Sequence, residues 1–136
     1  MSQMDASTKT ILKWFEKISS IPRQSGNEAG IRDWLVGWAK ENGCDSKTDE
    51  VGNVLICVPG TEGYESSPAV VIQGHMDMVC EKAKGSTHDF DKDPIELVFD
   101  GEWLKANGTT LGADNGIAIA MALALVDGGL PHPPLE

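Results

Sequence analysis

The sequence is short of positive charge. It has 11 lysines and arginines against 21 aspartates and glutamates among 136 residues, so its formal net charge is -10. A surface with this charge repels the phosphate backbone of nucleic acids and anionic membrane surfaces. We therefore expect neither a nucleic acid nor a membrane as a partner.

Long apolar runs and paired cysteine motifs are also missing. No apolar run approaches the roughly 18 residues that span a bilayer, and the first residues lack the basic and apolar regions of a signal peptide. Cys44, Cys57 and Cys80 are widely spaced and odd in number. This pattern indicates reduced thiols rather than a disulfide framework, and together these absences predict a cytoplasmic protein.

The chain is long enough for one domain with a single core, since 40% of its residues are hydrophobic. Apolar residues at helical spacing predict an amphipathic helix over 7–20 and a second helix that ends at about Asn42. Ser25 and Glu28 form a capping-box pattern where the second helix begins. A third helix over 117–126 is apolar on nearly every side, so we expect it to be buried on most of its faces.

Short β-type segments lie between the second and third helices. Four of them form two predicted hairpins, 44–49 with 53–58, and 95–99 with 102–106 around Asp100-Gly101. The run 69–73 is apolar, short and bounded by turn residues, which predicts a strand buried on both faces. The order of these elements indicates an α/β fold in which a mixed β-sheet is covered by helices.

The run 69–73 leads directly into Gly74, His75 and Asp77. Because His75 and Asp77 are two residues apart, an extended backbone projects them to the same side, where one can bind a metal while the other orients it. Ligands of open α/β sheets collect beyond the carboxyl ends of strands, which is where this pair lies. An isolated His-x-Asp pattern is also frequent as a coincidence of surface residues, so the pair alone leaves both interpretations open.

Asp114 lies in the glycine-rich loop 107–116, where the third helix begins. Glycines let the backbone approach an ion closely, although a lone aspartate at a helix start also serves as an N-cap. An imidazole, a carboxylate that orients it and a bridging carboxylate are parts of a two-metal hydrolytic site. His75, Asp77 and Asp114 therefore predict one side of such a site.

Two other candidate sites are weaker. Asp89, Asp91 and Asp93 have the spacing that opens a calcium loop, but Pro94 stands where the sixth position of that loop requires glycine. Cys80 could act as a soft metal ligand, yet a small buried thiol is the better interpretation.

At these residues the sequence resembles a known family, the zinc-dependent metallopeptidases that include aminoacylases, tripeptidases and dipeptidases, and within it the branch that hydrolyses aminoacyl-histidine dipeptides. The matching motifs follow one another along essentially the whole chain: Ser20-Ile21-Pro22-Arg23 with Ser25-Gly26-Asn27-Glu28, Asp49-Glu50-Val51-Gly52-Asn53-Val54, Gln73-Gly74-His75-Met76-Asp77-Met78-Val79-Cys80, His88-Asp89-Phe90 with Asp93-Pro94-Ile95, and Thr109-Thr110-Leu111-Gly112-Ala113-Asp114-Asn115-Gly116. An ordered set of this kind is highly specific.

The resemblance implies a role for three residues. His75 would bind one zinc ion, Asp77 would be the catalytic-site carboxylate that orients His75, and Asp114 would bridge two ions, with cobalt or manganese as alternatives to zinc. The implied reaction is hydrolysis of a dipeptide by a metal-activated water, with dipeptides that end in histidine as substrates. The implied fold is the N-terminal part of a zinc-peptidase catalytic domain.

The family pattern continues with residues that this sequence does not show. Family members add a Glu-Glu pair on the next strand, which supplies the general base and a metal ligand, and later another acidic ligand, a final histidine and a lid domain. No residue after the third helix matches these, and His132, between prolines, is interpreted as a surface residue.

We therefore expect residues 1–136 to form a partial catalytic domain with little activity of its own. The alternative is a non-catalytic truncated product or a weak metal-binding module. In either case, the apolar third helix without the strands that it should cover predicts self-association through exposed apolar surface.

Overall fold

The computed structural model describes residues 4–136. The described chain runs through α1 (Ala6–Ser19), α2 (Ala29–Glu41), β1 (Asp45–Thr48), β2 (Val54–Cys57), β3 (Leu97–Asp100), β4 (Trp103–Ala106) and α3 (Ala113–Asp127). The α/β class expected from the sequence is confirmed. Of the helices in this part of the chain, none has the length and hydropathy needed to cross a bilayer.

The hydrophobic core lies where the three helices meet. Its buried side chains come mainly from one face of each helix: Phe15, Ile18, Ile31, Leu35, Trp38, Ala39, Cys44, Ala120 and Leu123. Trp14 packs at the edge of this core, with its ring centroid 6.1 Å from that of Trp34 and 6.2 Å from that of Trp38. The apolar residues that recur at helical spacing in the sequence are therefore the residues that form the core.

A mixed sheet forms around the hairpin of β1 and β2. The two strands are antiparallel, with Asp45 opposite Cys57. Beyond β2, Val58 pairs with Leu135 in antiparallel fashion, and Leu135 pairs with Val70 in parallel fashion. The backbone N–H of Val58 donates to Leu135 O at 2.8 Å, and that of Val70 donates to Pro134 O at 2.9 Å. Since α2 packs against β1 and β2, the predicted mixed sheet with a helical cover is present.

The run 69–73 is not the buried strand that the sequence predicts. Val71 is 68% exposed, and Val70 and Ile72 are also exposed. An apolar strand is buried on both faces only where other elements cover both faces. Among residues 4–136, the backbone partner of this run is the segment 134–136 along one edge. The run therefore lies at an open edge of the sheet.

α3 is covered on most of its faces, as its sequence predicts. Ala120, Leu123 and Ala124 are buried, and their side of the helix faces α1 and the core. Within 117–126, Met121 is 54% exposed and the other residues are buried or half-buried. The helix is therefore open to solvent at Met121.

The second hairpin is formed by β3 and β4, as predicted. Its turn lies one residue later than the Asp100-Gly101 pattern indicates, because Asp100 pairs with Trp103. Gly101 takes the left-handed φ of +63° that the tight turn requires.

Asp49 organises the turn between β1 and β2. Its carboxylate accepts hydrogen bonds from the backbone N–H groups of Val51 and Asn53 and from the side chain of Asn53, at 3.1, 2.8 and 2.8 Å. The Asn53 hydrogen bonds lower the pKa of Asp49 below its ordinary value. A carboxyl with a lowered folded-state pKa stabilises the fold above its unfolded pKa of about 4, and this contribution is lost as the pH falls through the folded pKa.

We expect Asp49→Asn to make the free energy of unfolding less dependent on pH between about pH 5 and about pH 3, because an amide does not titrate there. Urea denaturation of the wild type and the variant at several pH values measures this slope. Asp45→Asn, on the adjoining strand, is the control that leaves the turn hydrogen bonds in place. Equal slopes for the wild type and Asp49→Asn would contradict the prediction.

Candidate metal site

His75, Asp77 and Asp114 come together where the chain leaves the run 69–73 and where α3 begins. His75 Nδ1 lies 3.0 Å from Asp77 Oδ1, and His75 Nε2 lies 3.0 Å from Asp114 Oδ1. His75 Nδ1 is also 3.1 Å from the carbonyl oxygen of Asp77. The imidazole is therefore held between two carboxylates that are far apart in sequence.

The electrostatics of the three side chains favour a positive charge between them. The Asp114 carboxylate makes the largest contribution and raises the pKa of His75. Partial burial of the ring lowers this pKa by less, and the contacts with Asp77 raise it further. The hydroxyl of Ser25 lowers the pKa of Asp77, with His75 contributing in the same direction. The Asp114 side chain is 96% exposed, so the site is open to solvent on that side. An arrangement that favours a proton on His75 also favours a metal cation at Nε2.

The start of α3 explains the position of Asp114. Gly112 is the N-cap residue and adopts a left-handed φ of +71°, while Asp114 and Asn115 have non-helical backbone angles. The regular part of α3 begins after Asn115, and among residues 4–136 the Asp114 carboxylate contacts His75 and accepts no backbone N–H, so the interpretation of Asp114 as an N-cap is wrong. The irregular first turn instead leaves the Asp114 carboxylate next to His75.

Gly74 brings the histidine segment close to α3. A Cβ atom at this position would lie 3.3 Å from the Cβ of Ala118 and 3.3 Å from Asn115 Nδ2. These separations are tighter than ordinary van der Waals contact, so the absence of a side chain permits the approach. The distance between His75 and Asp114 depends on this approach.

Ser25 supports the site in a way that the sequence did not reveal. Its hydroxyl donates to Asp77 Oδ2 at 2.5 Å, and its backbone N–H donates to Met78 O at 3.3 Å. The predicted capping box is not formed: Glu28 is the N-cap of α2 without a side-chain cap bond, and its carboxylate accepts instead from the N–H of Gly26. The spacing of Ser25 and Glu28 permits a capping box, but the Ser25 hydroxyl bonds the distant Asp77 carboxylate instead.

Arg23 is the second supporting residue that sequence reasoning missed. It is 2% exposed, and its guanidinium donates to the carbonyl oxygens of Met76, Asp77 and Gly112. Nothing in the residue types around Arg23 predicts that it is buried. Its place in the motif Ser20-Ile21-Pro22-Arg23, which is shared with the family that the sequence resembles, was the one indication that the position matters.

The donor atoms fit one side of a zinc site. Imidazole nitrogen and carboxylate oxygen bind zinc at about 2.0–2.2 Å, so two such ligands at tetrahedral positions are about 3.3 Å apart. The 3.0 Å between His75 Nε2 and Asp114 Oδ1 is close to this separation. The Asp77 contact at Nδ1 leaves Nε2 for the metal. Within residues 4–136, no group of three or more His, Cys, Asp or Glu side chains is arranged to hold an ion, so these two donors are an incomplete set.

The weaker candidate sites do not assemble. Asp89 pairs with Lys92 at 2.8 Å, and Asp91 accepts a hydrogen bond from the Asn27 side chain, so the acidic residues of the calcium-like pattern have separate partners. Cys80 is half-buried, and its thiol donates to Met78 O at 3.6 Å.

The surface position expected for His132 is wrong. Its side chain is buried, and its backbone N–H donates to Thr61 Oγ1 at 2.9 Å. The backbone N–H of Thr61 donates in turn to His132 O at 3.0 Å, and Leu135 pairs with Val58 just beyond.

We expect Gly112→Ala to lower the free energy of unfolding by more than Gly108→Ala does. Both glycines have φ near +70°, so both variants lose about 1–2 kcal/mol from the left-handed backbone. Only at Gly112 would the new Cβ also collide, at 2.5 Å from Arg23 Nη2 and 2.6 Å from Met78 Sδ. The collision adds about 1–3 kcal/mol. Chemical denaturation of the two variants measures the difference, and equal losses would show that the crowding is relieved without cost.

The chain is similar to known peptidases over most of its length. It is 54% identical over 123 residues to the cytosol non-specific dipeptidase of Escherichia coli (strain K12), which covers 90% of this chain and 25% of that protein. The crystal structure of the aminoacylhistidine dipeptidase from Vibrio alginolyticus matches with a TM-score of 0.88 and 45% identity, over 93% of this chain and 26% of that one. The chain thus spans about a quarter of the length of these relatives. No protein-family model matches.

Two more distant structures share the fold. A tripeptidase from Staphylococcus aureus and the aminopeptidase PepT from Bacillus cereus are 20% and 18% identical, and both match with a TM-score of 0.70 over 93% of this chain and 34% of theirs. At this identity they support the fold alone.

Proposed function

We propose that this chain, which is similar to the aminoacylhistidine and cytosol non-specific dipeptidases over about a quarter of their length, supplies one side of the metal site of a dipeptidase. The observation that carries the proposal is the row of contacts from Asp77 through His75 to Asp114, at 3.0 Å on each side of the imidazole. Such a row is the usual arrangement of a metal-binding histidine and its orienting carboxylate.

Each of the three residues has a distinct task in this proposal. Asp77 accepts from the Nδ1–H of His75, which fixes the tautomer and leaves the Nε2 lone pair directed toward Asp114. His75 and Asp114 would hold zinc, with cobalt or manganese as alternatives. A bound zinc ion supplies a Lewis acid that polarises the scissile carbonyl and lowers the pKa of water to about 7. Because Asp114 is almost fully exposed, its carboxylate is free to serve as a bridge between two ions.

The proposed substrates are dipeptides, including those that end in histidine. The two relatives support dipeptides as the substrate class but not a preference for histidine, because one is named for aminoacylhistidine and the other for non-specific action.

The proposed location is the cytoplasm, in keeping with the name of the Escherichia coli relative. With a net charge of -10, the chain is not suited to nucleic acid or anionic membranes. Exposed Val71, Met121 and Leu130 favour self-association of the isolated chain.

A chimera tests the proposed function. Residues 4–136 replace the matching stretch of the Escherichia coli dipeptidase, and hydrolysis of dipeptides is measured with and without a chelator. We expect a chelator-sensitive enzyme whose activity falls by a factor of about 100 or more in His75→Ala or Asp114→Asn, because loss of a ligand disables the metal site. Asp127→Asn, which alters a surface pair with Lys13, is the matched control. A folded chimera that is inactive, or whose activity survives His75→Ala, would contradict the proposal.

The second candidate function is a weak metal-binding module without catalysis. It is favoured by the incomplete donor set within residues 4–136. We expect the isolated chain to bind zinc more weakly than about 1 μM, since zinc sites use three or four protein ligands, and to hydrolyse dipeptides very little. Zinc titration by calorimetry, with Asp114→Asn and the Asp127→Asn control, measures the affinity. Binding of two ions at micromolar or tighter affinity would contradict this expectation and indicate a site completed in another way, such as across an oligomer.

A further inference from the structure

Arg23 is a buried charge whose partners are all backbone carbonyl groups. Nη1 donates to Met76 O at 3.1 Å and to Asp77 O at 3.4 Å, and Nη2 donates to Gly112 O at 2.6 Å. Among residues 4–136, Arg23 forms no salt bridge, and its Nε has no hydrogen-bond partner. Burying an unpaired guanidinium costs free energy that partial satisfaction by carbonyls only offsets in part. A residue of this kind calls for an explanation beyond filling the core.

The three carbonyls belong to the two segments that carry the candidate metal site. Met76 and Asp77 follow His75 directly, and Gly112 lies two residues before Asp114. The two segments are at least 35 residues apart in sequence (Asp77 to Gly112), and the guanidinium is hydrogen-bonded to both.

We propose that Arg23 is the positioning residue of this site: its guanidinium fixes the histidine segment against the start of α3, so that His75 Nε2 and Asp114 Oδ1 meet. This inference rests on the proposed function only for what the contact between His75 and Asp114 is for. The contact itself is present in the metal-free chain. Arg23 acts through the backbone of the other two segments, since its hydrogen bonds go to the carbonyl oxygens of Met76, Asp77 and Gly112.

The surrounding glycines are placed to admit the guanidinium. A Cβ at Gly112 would lie 2.5 Å from Arg23 Nη2, and a Cβ at Gly116 would lie 2.7 Å from the same atom. Both glycines belong to the motif that contains Asp114, at each side of it in sequence. Their missing side chains leave the space that the arginine occupies.

The backbone of Arg23 is itself fixed to the histidine segment. The N–H of Met78 donates to Arg23 O at 3.0 Å, and Gln24 forms a parallel bridge with Met78. The guanidinium therefore extends from an anchored base. A planar fork with several N–H donors can bond carbonyls of two segments at once, whereas the ammonium group of lysine is a single point.

The test uses the nitrogen spectrum of the histidine rings in the metal-free chain at about pH 7. We expect the ring nitrogens of His75 to shift toward the values of a free imidazole in Arg23→Met, because the Asp114 contact opens. Arg23→Lys, which keeps the charge but not the fork, is expected to show the same shift. The signals of His88 and His132 serve as internal references, and Arg32→Met, at a half-buried arginine paired with Asp33, is the matched control.

Two further measurements keep the inference open to refutation if Arg23→Met fails to fold. Gly116→Ala displaces the guanidinium without removing its charge, and we expect it to shift the His75 signals as Arg23→Met does. In the wild type, the guanidinium protons of Arg23 are expected to exchange with solvent at least about tenfold more slowly than those of Arg32.

Unchanged His75 signals in folded Gly116→Ala or Arg23→Met would overturn the proposal, as would fast exchange of the Arg23 protons in the wild type. A merely structural role would lower stability in these variants while the His75 spectrum of the folded fraction stays the same. None of these readouts uses bound metal or activity, so failure of the proposed function does not decide this test.

Discussion

The site depends on one constraint, which is the burial of the Arg23 guanidinium between two segments of backbone. Its hydrogen bonds to Met76, Asp77 and Gly112 set the distance between the segment that carries His75 and the start of α3, which carries Asp114. Burying this charge costs free energy that its hydrogen bonds to the carbonyls offset in part, so the buried guanidinium holds the two segments together. It also makes glycine necessary at the positions that face the guanidinium.

Local patterns in the sequence predicted the elements of the fold well. The one-sided apolar spacing of α1 and α2 is the spacing of their buried faces, with Phe15, Ile18 and Leu35 in the core. Both hairpins form where turn residues separate short β-type segments, and Gly101 supplies a left-handed φ. These signals succeed because helix periodicity and turn chemistry are decided within a few residues of the chain.

The expectations that failed all concern contacts between distant parts of the chain. Ser25 had a local partner available in Glu28, but its hydroxyl bonds the Asp77 carboxylate instead, and a hydrogen bond to an ionised group is stronger than one to a backbone amide. His132 is buried, and its backbone is hydrogen-bonded to Thr61, 71 residues away in sequence. The apolar run 69–73 is exposed because the described chain covers it along one edge only. No period or spacing in the sequence carries this information.

The candidate site combines a feature that local sequence patterns predict with one that only the tertiary fold determines. That His75 and Asp77 act as a pair follows from their spacing, whereas the approach of Asp114, 39 residues away from His75, is set by the tertiary fold. Of the two donors, His75 lines a groove of about 640 Å³, together with Val71, Ile72, Ala122 and other side chains. An incomplete ligand set and an uncovered apolar surface therefore lie at the same edge.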